Sequence, residues 1–212
     1  MLISEIFLSI QGESTYAGMP CIFIRLAGCN LSCSWCDTPY ARVPDGARDA
    51  SVDEVVSEIK KYRCDLVEIT GGEPLMQQDA CALAKRLVSA RYTVLIETNG
   101  SVCLEGLDQR VVKIVDVKCP GSGHGGSFLM ENLKHISPDD ELKFVIGSRV
   151  DYEYAARFVE ECVRDKTLKI LFAPVAPSLD PRELAGWILR DCLKVRLQIQ
   201  MHKYIWADER GR

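Results

Sequence analysis

Short apolar runs alternate with amphipathic stretches along almost the whole chain, and most runs close on a polar or glycine-containing motif. Ile3–Leu8, Cys21–Leu26, Leu66–Thr70, Thr93–Glu97, Val111–Val117, Glu141–Ile146, Leu168–Phe172 and Val195–Gln200 read as strands. Between them, Ser51-Val-Asp-Glu54 is a capping box, and Val52, Val55, Val56 and Ile59 follow at helical spacing. Leu75–Ala90 predicts a helix with Leu75, Leu83, Leu87 and Val88 on its apolar side, and another falls near Asp151–Arg164. Asp180-Pro181 with Glu183 opens the last helix through an Asp cap and a first-turn proline. Such alternation is the sequence form of a parallel sheet with crossover helices. About six mainly parallel strands and about three or four helices are expected. A closed eightfold barrel takes about 250 residues, so 212 residues predict an incomplete, TIM-like α/β barrel, one domain spanning 1–212. Active sites in such sheets lie at the carboxyl ends of the strands. Gly71–Glu73, Glu97–Asn99, Asp116–Lys118 and Gln200–His202 all fall there.

A net charge of −4 gives no electrostatic footprint for nucleic acid or an anionic membrane, so a small-molecule partner is expected. No apolar run approaches a membrane span and no signal-peptide pattern opens the sequence, which predicts a cytoplasmic protein. Ten cysteines would suggest disulfides in a small secreted scaffold, a class this chain does not fit. Cys21, Cys64, Cys81, Cys103, Cys119, Cys162 and Cys192 share no spacing and read mainly as small buried hydrophobes.

Cys29, Cys33 and Cys36 are different, because Cys-x3-Cys-x2-Cys gathers three thiolates in one loop spanning 28–40. Iron–sulfur cubanes are normally held by four thiolates. Three leave one iron open to a substrate or cofactor. Structural zinc is the competing reading, but it wants four closed ligands, and His124, His135 and His202 lie far downstream. The triad resembles that of the radical S-adenosylmethionine enzymes, a superfamily whose core is a partial barrel. The resemblance implies a 4Fe–4S cluster with S-adenosylmethionine chelated to its fourth iron, cleaved by one electron to a 5′-deoxyadenosyl radical. Trp35 would then lie near the adenine, or serve as ordinary packing, or both. Gly71-Gly-Glu-Pro74 matches the element that receives the cofactor's ammonium, since glycines admit close backbone approach and bare carbonyls accept its hydrogen bonds. Glu73 reads as a polar helper there or as a helix-start carboxylate. Glu97, Asn99, Asp116 and Lys118 resemble the strand-end residues that reach the ribose and the methionyl carboxylate. Their alternatives are a turn cap for Thr98 and Asn99, a structural acceptor for Asp116 and a plain strand-end lysine for Lys118.

Ser4-Glu-Ile-Phe-Leu-Ser-Ile-Gln-Gly-Glu-Ser14, Cys21-Ile-Phe-Ile-Arg-Leu-Ala-Gly-Cys29, Cys36-Asp-Thr38 and Gln200-Met-His-Lys203 together resemble the 7-carboxy-7-deazaguanine synthases of queuosine and 7-deazapurine biosynthesis. The resemblance spans nearly the whole chain. It implies a lyase that turns 6-carboxy-5,6,7,8-tetrahydropterin into 7-carboxy-7-deazaguanine with loss of ammonia, the radical taking hydrogen from carbon 6 and S-adenosylmethionine being regenerated. By motif position Gln11, Gly12, Glu13, Thr70, Gln200 and His202 would form the pterin pocket, with Gln11 and Glu13 on its guanidine-like edge. Arg25 would fork onto the substrate carboxylate, and Thr38 would ligate Mg2+ with Asp37 beside it. No protein acid or base is assigned. An electron donor (a reductase, flavodoxin or ferredoxin) and a homodimer are expected on the same ground. His124 and His135 read as surface residues, and Gly121–Ser127 as a lid or a plain loop. A glycyl-radical activase would share the triad but lack the Ser-Ile-Gln-Gly-Glu and Gln-x-His-Lys segments. A zinc-binding interaction module would lack catalysis altogether.

Overall fold

The computed structural model describes residues 1–164, 167–207 and 209–211. Strands β1 (Leu2–Ile10), β2 (Pro20–Leu26), β3 (Arg48–Asp49), β4 (Leu66–Gly71), β5 (Thr93–Thr98), β6 (Val112–Asp116), β7 (Glu141–Ile146), β8 (Lys169–Pro174) and β9 (Arg196–Leu197) form one sheet, ordered β3-β1-β2-β4-β5-β6-β7-β8-β9. From β2 to β9 every pairing is parallel, while β1 runs antiparallel to both β2 and β3. The sheet does not close on itself, and the expected partial barrel is what forms. Its six long parallel strands, β2 and β4 to β8, match the expectation.

Period-two alternation divides the side chains between two faces. Ile22, Ile24 and Leu26 on β2, Val67 and Ile69 on β4, and Leu142, Phe144 and Ile146 on β7 enter the main core against the helices. The helices are α1 (Val52–Ile59), α2 (Asp79–Ser89), α3 (Arg149–Phe158) and α4 (Pro181–Arg190), with a short α5 (Met201–Trp206). Phe144 sits at the centre of this layer, edge-on to Phe158 and Phe172. The opposite parity faces the barrel interior. Cys21, Phe23, Leu66, Leu95 and Ile114 form a small apolar plug low in it. Above the plug the same parity turns polar: Arg25, Glu68, Thr70, Glu97, Asp116 and Lys143.

Local signals behaved as the sequence predicts at α1 and α4. Ser51 and Glu54 form the reciprocal capping box, and Asp180 accepts the Arg182 amide. Three expectations are corrected. The helix expected from Leu75 begins only at Asp79, after a 3-10 turn at Pro74–Met76. Gln77 is extended there because its amide is drawn to Leu2 and to the Ala27 carbonyl. The final strand expected over Val195–Gln200 shortens to Arg196–Leu197. Gln198 turns its side chain to the Ser14 carbonyl, and Gln200 instead precedes α5, a fifth helix beyond the expected number. The helix placed near Asp151–Arg164 starts at Arg149 under a Ser148 cap and passes into a π turn at Val159–Val163.

The open side of the barrel is spanned by the β1–β2 loop. Thr15 donates its amide to the Glu141 carboxylate at 3.0 Å, and Gln198 reaches the Ser14 carbonyl. With the core so placed, Phe144→Ala is expected to cost about 3–5 kcal/mol. Leu189→Ala, on a side chain 76% exposed on α4, is expected to stay within about 0.5 kcal/mol of the parent. Urea denaturation of both variants checks this.

Candidate active site

The carboxyl ends of the strands open on a cavity of about 300 Å³. Cys29, Cys33, Trp35, Cys36, Asp37 and Thr38 of the cluster loop line one side, and Gln11, Gly12, Glu13, Gln200 and His202 line the other. Arg25, Thr70, Gly71, Gly72, Glu97, Asn99, Asp116 and Lys118 lie between them. Of the candidate cluster, cofactor, metal and substrate residues, Glu73 alone falls outside this lining.

Glu73 is fully buried, with one carboxylate oxygen accepting Thr98 Oγ1 (2.8 Å) and the Leu75 amide (3.0 Å), the other the Asn99 amide (2.7 Å). It is the helix-start carboxylate, and it joins the end of β4 to the end of β5. Asn99 is similarly committed. Its Oδ1 accepts the Ser101 amide and its Nδ2 donates to Asn30 in the cluster loop. The turn-capping reading of Thr98 and Asn99 describes their bonds, although both still border the cavity.

The three thiols are free and half-buried. Burial pushes the Cys29 and Cys33 thiols up, opposed by the nearby Lys118 ammonium. Their loop is seated from two directions. A Cβ on Gly72 would lie 2.1 Å from the Gly28 carbonyl oxygen and 2.8 Å from Cys29 Cβ, so only glycine permits β4 to end against the loop. On the other side, Ser34 donates its amide to the Ser122 carbonyl and its hydroxyl to that of Gly121, and the Ser32 amide donates to His124 Nε2 at 2.9 Å. Trp35 occupies a slot beside Gly121 and Gly147, where added Cβ atoms would fall 2.8 and 3.0 Å from its ring. Asp151 fixes both walls by accepting the Gly121 and Gly147 amides. The glycine-rich loop is therefore a docked brace for the cluster loop, and the partly exposed His124 is one of its contacts.

Charge dominates the interior. Lys143 Nζ, on a side chain 4% exposed, contacts Glu13 Oε2 at 2.8 Å, Glu97, and Asp116 Oδ2 at 3.8 Å. Burial alone would lower that ammonium's pKa, but the surrounding carboxylates hold it well above the usual lysine value. Glu97 is the reciprocal case, where burial works upward and Lys143 prevails, pulling the carboxyl down to about 2. Lys118 pairs with Asp116 Oδ2 at 2.7 Å, while Asp116 Oδ1 is buried with no hydrogen-bond partner among the described residues.

At the far end, Glu13 Oε1 accepts Gln200 Nε2 at 2.7 Å. Gln11 is 4% exposed, and both ends of its amide are taken: Nε2 donates to Glu68 and Oε1 accepts the Glu13 amide. Gln11 thus ties β4 to the turn that carries Glu13. Gly12 is covered by His202, whose Nδ1 would be 2.3 Å from an added Cβ. Arg25 Nε is held by Glu5 at 2.8 Å, and Glu5 also accepts Tyr40 Oη at 2.7 Å. Arg210 stacks on Tyr40 and reaches Glu5 at 3.3 Å, and Ala207, Glu209 and Gly211 also line the cavity mouth. Glu13, Asp37 and His202 set their ligand atoms within 4.8 Å of one another.

Glu5, Tyr40, Glu68 and Lys143 were given no role in the sequence, and His124 was read there as a surface residue. Glu68 and Lys143 did leave a signal, each being a charge inside an otherwise apolar run at the inward parity. Glu5 left the same signal within Ile3–Leu8, whereas Tyr40 left none, because its role depends on neighbours distant in the chain.

Residues 23–166 match the Radical SAM superfamily. The chain is 48% identical to the 7-carboxy-7-deazaguanine synthase of Koribacter versatilis, over 99% of this chain and 98% of the relative. It is 42% identical to that of Chlorobaculum tepidum, over 99% and 96%. The fold matches QueE from Escherichia coli with a TM-score of 0.80 at 26% identity, covering 95% of this chain and 94% of that one. Streptococcus suis SuiB bound to S-adenosylmethionine shares the fold alone, with a TM-score of 0.56 and 13% identity over 81% of this chain and 45% of that one. A triad-bearing partial barrel with relatives this similar over their whole length belongs to the radical SAM superfamily and, within it, to the 7-carboxy-7-deazaguanine synthases, radical SAM lyases of 7-deazapurine biosynthesis.

Proposed function

We propose that the chain converts 6-carboxy-5,6,7,8-tetrahydropterin into 7-carboxy-7-deazaguanine with loss of ammonia, using S-adenosylmethionine catalytically. The observation that carries this reading is the single cavity shared by the cysteine triad and the Gln11–Glu13, Arg25 and His202 set. Superfamily membership brings a 4Fe–4S cluster and S-adenosylmethionine, and the donors suit both. Three free thiols in one loop match a cluster with one open iron, and the orphaned Asp116 Oδ1 suits a hydrogen-bond donor on the cofactor. When bound, the pair supplies the 5′-deoxyadenosyl radical that takes hydrogen from carbon 6 of the pterin.

The protein's part is to bind, orient and shield. Gly71 and Gly72 leave the backbone open to the cofactor's ammonium; Glu97, Asp116 and Lys118 meet its ribose and carboxylate, and Trp35 flanks the adenine. Glu13 receives the paired N–H donors of the pterin edge, its oxygens oriented beforehand by Gln200 and Lys143. Gly12, Thr70 and His202 form the adjoining walls. Glu5 fixes Arg25 through Nε, leaving the Nη pair for the substrate carboxylate. The Thr38 hydroxyl and the neighbouring Asp37 carboxylate are hard oxygen donors of the kind Mg2+ takes alongside substrate and water. A homodimer in the cytoplasm, reduced by a flavodoxin, ferredoxin or reductase, completes the reading. Consistent with it, no described helix is long and apolar enough to cross a membrane.

Anaerobic turnover of the reconstituted enzyme with the carboxytetrahydropterin, S-adenosylmethionine, reductant and Mg2+ is expected to yield the deazaguanine without stoichiometric cofactor loss. Accumulation of 5′-deoxyadenosine alone, read by mass spectrometry, would remove the substrate assignment. Arg25→Lys is expected to raise KM for the pterin about tenfold to a hundredfold, because a point charge replaces a fork. KM for S-adenosylmethionine should hold, and an equal rise in both would place Arg25 elsewhere. Thr38→Ala should shift the Mg2+ activation curve to higher concentration with cluster absorbance unchanged. An unaltered titration would take Thr38 out of the metal site.

A further inference from the structure

We infer that Glu68 is a positioning residue for substrate, acting through the Gln11 amide to set the turn that carries Glu13. The inference rests on the proposed role of Glu13 at the pterin edge. Glu68 lies mid-strand on β4, between Val67 and Ile69 of the main core, and its side chain points into the barrel beside Phe23 and Leu95 of the flanking strands. It is 3% exposed. A carboxyl group so placed is costly unless something there uses it. Among the described residues it forms no ion pair, since Lys143 is directed to Glu13, Glu97 and Asp116. Its hydrogen bond is to Gln11 Nε2.

That bond has a consequence beyond satisfying Glu68. An amide has one donating end and one accepting end, so fixing Nε2 on a carboxyl oxygen directs Oε1 the other way. Oε1 accepts the Glu13 amide at 2.7 Å. The relay therefore runs from a rigid central strand, across Gln11, to the backbone of the residue whose carboxylate faces the ligand. Gly12 between them is held by the Met201 amide, which donates to its carbonyl at 2.9 Å. Loop residues cannot by themselves fix a carboxylate to the tolerance that recognition needs. Attachment to a strand can. Burial and the Glu97 charge both favour the protonated form of Glu68, which still accepts from Gln11 through its carbonyl oxygen.

The test compares Glu68→Leu, Glu68→Gln, Gln11→Leu and the double variant Glu68→Leu/Gln11→Leu in the cluster-reconstituted enzyme. Glu68→Leu is expected to raise KM for 6-carboxytetrahydropterin about tenfold to a hundredfold, the range for losing one well-placed polar contact. KM for S-adenosylmethionine and cluster absorbance should stay at parent values. Glu68→Gln keeps an acceptor oxygen of the same reach and should recover most of the loss. The double variant should be no worse than the poorer single one, because both changes break the same relay. Additive losses, an equal rise in both KM values, or a Glu68→Leu enzyme with the parent KM would overturn the inference. A crystal structure of Glu68→Leu tests positioning without any substrate: the Gln11–Glu13 bond should be lost and Glu13 displaced, and an unchanged turn overturns it. That arm stands even if the parent enzyme fails to use the pterin, so failure of the functional reading is told apart from failure of the relay.

Discussion

The interior of this barrel depends on one buried ammonium. Lys143 brings Glu13, Glu97 and Asp116 to a common point although they come from a loop and two separate strands. Three carboxylates gathered in a low-dielectric cleft would repel one another and stay ionised only at high cost. An ammonium at their centre turns that repulsion into mutual attraction. The strong downward displacement of Glu97 and upward displacement of Lys143 are two sides of that single balance. Replacing the lysine would therefore disturb Glu97 and Asp116 on the strands and Glu13 on the loop at once.

The cluster loop has its own support, nearly independent of that charge centre. Backbone approach at Gly72, the Asn30–Asn99 bond and the glycine-rich brace hold it from three elements. Asp151 does for the brace what Lys143 does for the carboxylates, here through backbone amide donors: one buried acceptor fixes the two glycine-bearing segments that flank Trp35. Three thiols set in so well seated a loop are already grouped before any iron arrives, which lowers the ordering cost of assembling a cluster there.

Most of the frame was legible because it rests on local patterns. Short apolar runs between amphipathic stretches located seven of the eight expected strands closely, and the caps at Ser51 and Asp180 fixed the start of two helices. Where tertiary contacts outweighed local preference, the sequence misled. Gln77 breaks a good helical pattern to bind the β1 and β2 backbone, and the last apolar run gives up pairing to reach the β1–β2 loop. In the site, the motifs named residues that the fold gathers around one cavity, Glu73 excepted, while the bonds their side chains make were not legible. Glu73, Asn99 and Gln11 line up with ligand-binding motifs but spend their polar groups on neighbours. No spacing rule could reveal this, because the partners Thr98, Asn30 and Glu68 become adjacent only in the fold.

The β1–β2 loop closes the open side of the barrel and also carries the Gln11–Glu13 turn. Its contacts reach across most of the sequence: Thr15 to Glu141, Glu13 to Lys143 and Gln200. Contacts between such distant residues carry the largest loop-closure entropy and are expected to form after the local strand–helix units have paired. The barrel wall and its cysteine loop can therefore be in place while the ligand-facing end is still open. The Gln11–Glu13 turn and the seal that completes the fold thus share one loop, so a change in the turn bears on both.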